Sequence, residues 1–369
     1  MAAIFEETAI NGMMMRNRLI RSATWEGMFD DDGRPTEKII NWYRDLAMGG
    51  IGLIITGYAY VQPNGKHNVG QMGMQKDDFA DDFTRMTSVV HQVGGKIACQ
   101  LVHGGGQSDA KIIGRTPVAP SAVKVGQFPE MPEDLTKDAI NGIVAAFGKA
   151  AFRAKLWGFD GVQLHGAHGF LINQFLSPLT NRRGDVYGGT IQNRCWFLLE
   201  VYQKVRETVG TDYPVLIKLN ATDFVDGGLE IDDAIYAAQK LSEAGIDAIE
   251  VSAGTPASGA KGPARMKITK PEKEAYNLEL ARMIKKSVTC PVIAVGGFRS
   301  YEVVEKALRD TGIDYVAMAR PLIREPDLPN RWLQGNRKSA ACISCNSCFA
   351  GGLKEGGIYC ITEKKEKGK

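Results

Sequence analysis

Eight short runs of β-branched and aliphatic residues recur along this chain, each followed by a longer segment of helical period. That alternation restricts the available folds more than any other feature. The runs are RLIRSAT near 18–24, GLIITGYAYV at 52–61, KIACQLVH at 96–103, GVQLHGA at 161–167, PVLIKLNA at 214–221, AIEVSAG at 248–254, PVIAVGG at 291–297 and YVAMARP at 315–321. Between them, segments such as IDDAIYAAQKLSEAG place apolar residues at i, i+3, i+4 and i+7, as a helix packed on a sheet requires. Repeated strand–helix units imply a parallel sheet, and eight of them point to an α/β fold of the (β/α)8 TIM-barrel type. No GxGxxG follows any run, so an open dinucleotide-binding sheet loses its main support. The first seventeen residues precede the first strand and are expected to form a hairpin capping the N-terminal face of the barrel. The Gly- and Pro-rich loop at about 104–134 is expected to pass over the opposite face. The chain divides into a barrel, 1–335, and a short cysteine-containing tail, 336–369.

Length alone leaves room for two ordinary domains or one large barrel, and 44% hydrophobic with 24% charged residues is close to the globular average. No run approaches the ~20 apolar residues of a membrane span, and the N-terminus carries acids where a signal peptide is basic. A cytoplasmic protein with no membrane partner is expected. A net charge of +3, with Lys and Arg dispersed among acids outside the tail, argues against nucleic acid as a partner. Cys99, Cys195 and Cys290 sit in apolar contexts and read as core thiols.

In a (β/α)8 barrel the chemistry sits at the C-terminal ends of the strands, and here those ends are rich in polar groups. They collect Ala23, Thr24, Trp25 and Glu26; Gly57 and Tyr58; Gln100 and His103; His165 and His168; Lys218 and Asn220; Ser252; Gly296, Gly297 and Arg299; and Arg320. Singly, each has a structural explanation; so many donors on one rim make a site. The segments AVGGFRS and AMARPLIREP occupy the seventh and eighth strand ends, where barrels often hold a phosphate, although Gly296 and Gly297 equally suit a tight turn.

The blocks NRLIRSAT, GLIITGYAYVQPNGK, CQLVHGGGQS, LHGAHGFLINQFLSPLTNRRGDVYGG, AVGGFRS and ARPLIREPDL, in this order, resemble the Old Yellow Enzyme family of FMN-dependent oxidoreductases over about residues 3–335. The resemblance implies FMN across the barrel mouth, reduced by NAD(P)H and reoxidised by a small molecule with an activated alkene. It implies that His165 and His168 donate to the substrate carbonyl, with Tyr58 a candidate proton donor, that Gln100 bonds the pyrimidine edge, and that Lys218 faces the reduced flavin. Ala23, Thr24 and Gly57 would lie along the flavin, and Gly296, Gly297, Phe298, Ala319 and Arg320 would hold its phosphate. A homo-oligomer is expected. Three residues depart from the family pattern: Phe170 stands where many members have a proton-donating tyrosine, Lys218 replaces an arginine, and Trp25 replaces a smaller residue. The residues therefore leave open an FMN-dependent dehydrogenase or demethylase that oxidises its substrate, an electron-transfer flavoprotein subunit, or a non-redox barrel holding a phosphorylated metabolite.

Cys342, Cys345, Cys348 and Cys360 read C-x2-C-x2-C-x11-C. Four clustered thiols in a cytosolic chain more often bind metal than form disulfides. Resemblance to the relatives of 2,4-dienoyl-CoA reductase implies a 4Fe-4S cluster here, but those relatives carry one more residue between the second and third ligands. Zinc, or a tail without metal, remains open.

Overall fold

The computed structural model describes residues 3–368; residues 1, 2 and 369, at the outer ends of the expected hairpin and tail segments, lie outside it. Eight parallel strands close into a barrel: β1 (Leu19–Arg21), β2 (Leu53–Ile55), β3 (Ile97–Val102), β4 (Gly161–Gly166), β5 (Val215–Asn220), β6 (Ala248–Ser252), β7 (Val292–Val295) and β8 (Tyr315–Met318). Pairing runs in sequence around the ring, and β8 pairs with β1 through Val316 opposite Leu19. All eight expected strands are present, each shorter than its apolar run. The second run breaks after Ile55 because the Gly57 N–H leaves the ladder to donate to Glu26 Oε1 at 2.9 Å; pairing resumes at Ala59–Tyr60. The eighth ends at Met318, and Arg320 instead opens a short helix, Arg320–Arg324, with Pro321 in its first turn.

Alternation along each strand sorts the side chains. Outward residues such as Ile54, Val162, Ile217, Ile249 and Val316 pack under the helical layer, whereas Ile20, Leu53, Ile55, Ala98, Leu216, Ala248, Ile293 and Tyr315 form a separate inner cluster. The strands Thr8–Ile10 and Met13–Met15 pair antiparallel, as the expected hairpin, and Ile10, Met13 and Met15 join the inner cluster. One end of the barrel is thereby plugged with apolar side chains. Two residues further along the strands, the inward positions become polar.

The 104–134 loop folds into the short helices Gly105–Gln107 and Ala110–Ile113 and a two-residue parallel pair, Val118–Ala119 with Glu133–Asp134. It lies beside the mouth rather than lining it. Its contribution is support: Gln107 Nε2 donates to the His168 carbonyl at 2.9 Å. The tail folds back over the mouth through helices Ser347–Glu355 and Ile361–Lys367. Backbone bonds hold it there, with Ile358 N–H donating to Glu26 O at 2.8 Å and Lys267 N–H to Ser344 O at 3.0 Å. Arg299, a strand-end residue in the sequence, is spent on this anchoring and donates to Cys342 O at 3.2 Å.

Candidate active site

The polar ends of the strands open into a cavity of about 320 Å³ at the C-terminal mouth. A roomier groove of about 650 Å³ on the outer wall, beside Trp196, lies away from every strand end. Ala23, Thr24, Trp25, Tyr58, Gln100, His165, His168, Phe170, Lys218, Ser252, Gly297, Phe298, Ala319 and Arg320 all reach the mouth cavity. Gly57 and Gly296 do not. The Gly57 N–H is taken by Glu26, and the Gly296 carbonyl accepts from Tyr276 N–H at 3.0 Å. His103 also turns away, buried with its Nδ1 accepting from Gly105 N–H at 3.0 Å.

The two histidines sit at the end of β4, where the strand gives way to a tight turn. His168 has φ of 59°, a left-handed conformation that lets its ring return to the cavity after the strand has ended. Its Nε2 lies 2.7 Å from Ser252 Oγ on β6. His165 accepts the Ala167 N–H at Nδ1, 3.3 Å away, so the proton of its neutral ring resides on Nε2. The rings meet edge to face with centroids 5.2 Å apart. Burial, reinforced by the Lys218 ammonium, pushes His168 down to about 3; burial, His168 and Lys218 hold His165 well below the usual imidazole range. Both are therefore uncharged at neutral pH and act as N–H donors rather than as cations.

Phe170 packs edge-on against His165 at 4.7 Å and tilted against Tyr58 at 5.3 Å. Burial raises the Tyr58 phenol, so it keeps its proton throughout the physiological range. His67, which the sequence did not single out, completes this aromatic group: its ring meets Phe170 at 5.1 Å, and its Nδ1 lies 2.8 Å from the Gln107 carbonyl.

Below the histidines the floor is a buried polar layer. Lys218 Nζ lies 2.7 Å from Glu250 Oε1 and 2.7 Å from Ser22 Oγ. Burial lowers the Lys218 ammonium while Glu250 pulls it back up, leaving it somewhat below its ordinary value. Gln100 Nε2 donates to Gln163 Oε1 at 2.7 Å, while Gln100 Oε1 finds no partner among the described residues although it is buried at the cavity edge. Glu250 and Gln163 were missed in the sequence. Their signal was there: AIEVSAG and GVQLHGA each place one long polar side chain inside an otherwise apolar barrel strand.

At the seventh and eighth strand ends, Gly297 has φ of 76°, and a Cβ there would stand 2.8 Å from the Tyr276 ring, so only glycine fits the turn. Arg320 lines the cavity beside it and donates to Arg265 O at 2.7 Å and Asn346 Oδ1 at 2.6 Å. FMN fits this donor set. The unpartnered Gln100 oxygen suits a ring N–H, Lys218 a carbonyl or anionic ring edge, and Arg320 with the Gly297 turn a phosphate.

A 4Fe-4S cluster at the four cysteines finds no support in the arrangement of the described residues. Cys342, Cys345, Cys348 and Cys360 do line one small cavity next to Arg320, yet among the described residues no three His, Cys, Asp or Glu side chains are disposed to hold a metal ion. Asn346, between the second and third cysteines, and Ser344 both take left-handed backbone, at φ of 60° and 53°. The Cys345 thiol is engaged with Thr362 Oγ1 at 3.8 Å, and burial pushes Cys348 up to about 11, toward the neutral thiol. Cys99, Cys195 and Cys290 are buried, free thiols, as expected.

A barrel that offers uncharged imidazole donors above a buried lysine, with a glycine turn and an arginine at its last two strand ends, is built in the manner of the flavin-dependent oxidoreductases. The chain belongs to the NADH:flavin oxidoreductase / NADH oxidase family, which its residues 3–339 match. It is 38% identical over 352 residues to an NADH oxidase of Thermoanaerobacter brockii, covering 95% of this chain and 54% of that one. It is 35% identical to an NADPH dehydrogenase of Clostridium acetobutylicum, covering 88% and 92% of the two chains. The solved Old Yellow Enzyme homologue from Zymomonas mobilis superposes with a TM-score of 0.81 at 27% identity, covering 92% and 95%. Relative to the T. brockii protein, the chain thus spans about half the length. Among the described residues no helix is long and apolar enough to cross a membrane.

Proposed function

We propose that this protein is an FMN-dependent ene-reductase that uses NAD(P)H to reduce the C=C bond of an α,β-unsaturated carbonyl compound. The observation that carries the reading is the pair of neutral histidines, His165 and His168, at the rim of a cavity whose floor is Gln100 and Lys218. Bound FMN supplies the hydride chemistry, accepting from the nicotinamide and delivering to the electron-poor alkene carbon. The chain's own residues then manage charge and protons. His165 presents Nε2–H to the substrate carbonyl oxygen. With the Ser252 hydroxyl as donor to its Nε2, His168 keeps its single proton on Nδ1, and that N–H is the second donor. Two pre-aimed donors stabilise the enolate charge as it develops, and because the rings are neutral they do so without a desolvated cation beside Lys218. Phe170 cannot donate a proton, so Tyr58, protonated and 6.1 Å from the His165 ring centroid, is the group that returns one to the α-carbon.

The tail enters this reading as a wall: Phe349 and Leu353 of the helix Ser347–Glu355 reach the cavity from above. Support for the reading comes from the family, the donor geometry and the fit of the floor to FMN. The test is an anaerobic half-reaction in which protein with reduced flavin is mixed with enones, enoyl thioesters and nitroalkenes. Reoxidation by at least one class is expected, and His165→Ala and His168→Ala are expected to retain flavin while slowing it about 10²–10³-fold. Unchanged reoxidation rates in both variants overturn the assignment.

A further inference from the structure

Glu250 stands in the middle of the barrel on β6, wholly excluded from solvent and from the cavity wall. Its Oε1 accepts from Ser22 Oγ at 2.6 Å and from Lys218 Nζ at 2.7 Å, and its Oε2 accepts from Gln163 Nε2 at 2.8 Å. Gln163 Oε1 in turn accepts from Gln100 Nε2 at 2.7 Å. Arg21, a second buried cation of this layer, is held by Glu26 at 2.8 Å and adds no hydrogen bond to this chain. The chain ends at Gln100, a residue of the cavity wall whose Oε1 is buried and without a partner among the described residues.

A carboxylate accepts and never donates, and that property propagates. Facing Glu250, Gln163 must turn its amino group down and its oxygen up. Gln100 must then spend its amino group on Gln163. An isolated glutamine could meet a ligand with either end; this one cannot. We infer that Glu250 is a positioning residue that sets the hydrogen-bond polarity of the cavity floor: through Gln163 it obliges Gln100 to meet the cofactor as an acceptor, so that a ring edge carrying an N–H is selected there. The inference rests on the FMN reading, in which that edge is the pyrimidine N3–H.

Glu250→Gln keeps the shape and reverses the chain. The new amide oxygen must still receive Ser22 and Lys218, so its amino group faces Gln163, which turns over, and Gln100 then shows its amino group to the cofactor. A donor facing an N–H leaves two groups unpaired, and FMN binding to the apoprotein is expected to weaken about tenfold to a hundredfold. A second readout is one that mere loss of packing would not move. An acceptor beside N3–H holds its proton and a donor releases it, so the N3 ionisation of bound oxidised FMN, followed by visible absorbance against pH, should lie above that of free FMN in the native protein and fall below it in Glu250→Gln. Gln163→Met cuts the chain while leaving the Glu250–Lys218 pair, and should bring the ionisation back toward that of free FMN. Should Glu250→Gln not accumulate folded, Gln163→Met and the native titration decide. An ionisation that is the same in native and variant proteins, or lower in the native protein than in free FMN, overturns the inference. Native protein that binds no FMN overturns the cofactor reading itself, a different and separately visible result.

Discussion

At the scale of single residues, the proposed ene-reductase chemistry calls for neutral imidazoles and a protonated phenol. Burial depresses both His103 and His168 to about 3 from 6.5. The sign of the consequence follows: between those values the unfolded chain binds protons that the native protein does not, so stability falls as pH drops through that window. Each such histidine contributes a slope of up to about 1.4 kcal/mol per pH unit. Urea unfolding at pH 7 and pH 5 should show the loss, and His103→Gln, remote from the cavity wall, should make the dependence shallower. An equal slope in the variant would show that this histidine is already charged in the native state. The proton donor is testable in the same way. Tyr58→Phe should lower turnover with cyclic enones about 10²–10⁴-fold where protonation limits the rate, and Phe170→Tyr should change it little, since Tyr58 already donates. No loss in the first variant together with a gain in the second would return the acid to water. Nitroalkenes, whose products protonate readily in solvent, should respond little to either change.

At the scale of elements, the tail helix Ser347–Glu355 shapes what the cavity admits. It packs closely enough that a Cβ on Gly352 would stand 3.1 Å from the Trp25 ring, and Phe349 and Leu353 project from it into the mouth. Trimming either to alanine removes wall without touching the histidines or the floor. Phe349→Ala and Leu353→Ala should therefore shift preference toward bulky acceptors, seen as a several-fold rise in the kcat/KM ratio of a bicyclic to a monocyclic enone. A ratio unmoved in both variants would mean that the substrate enters elsewhere. The legibility of elements was uneven, for a physical reason. Strand–helix alternation is a local pattern, and all eight strands were visible in it. The break after Ile55 was not, because it is caused by Glu26, a carboxylate some thirty positions away that captures the Gly57 N–H.

At the scale of the whole molecule, Arg320 joins the two parts of the chain, reaching the mouth cavity, the cysteine-lined cavity and the tail residue Asn346 at 2.6 Å. Arg320→Ala should yield protein with little bound flavin, a tail more quickly cut by protease, and a lower melting temperature, since a ligand bound only to the native state adds stability. Full flavin occupancy with an unaltered tail would remove Arg320 from both roles. The barrel itself, its capping hairpin, and the gathering of His165, His168, Gln100, Lys218 and Arg320 at one mouth were determined by the sequence alone, because residue period fixes which face of an element a side chain occupies and the closed ring brings every strand end together. Only the tertiary structure decided what those residues do to one another. Glu250 pairs with Lys218 and orients Gln100 through Gln163, and the four tail cysteines come together along one small cavity beside Arg320. Such outcomes turn on distances of a few ångströms between atoms far apart in the chain, and no local period encodes them.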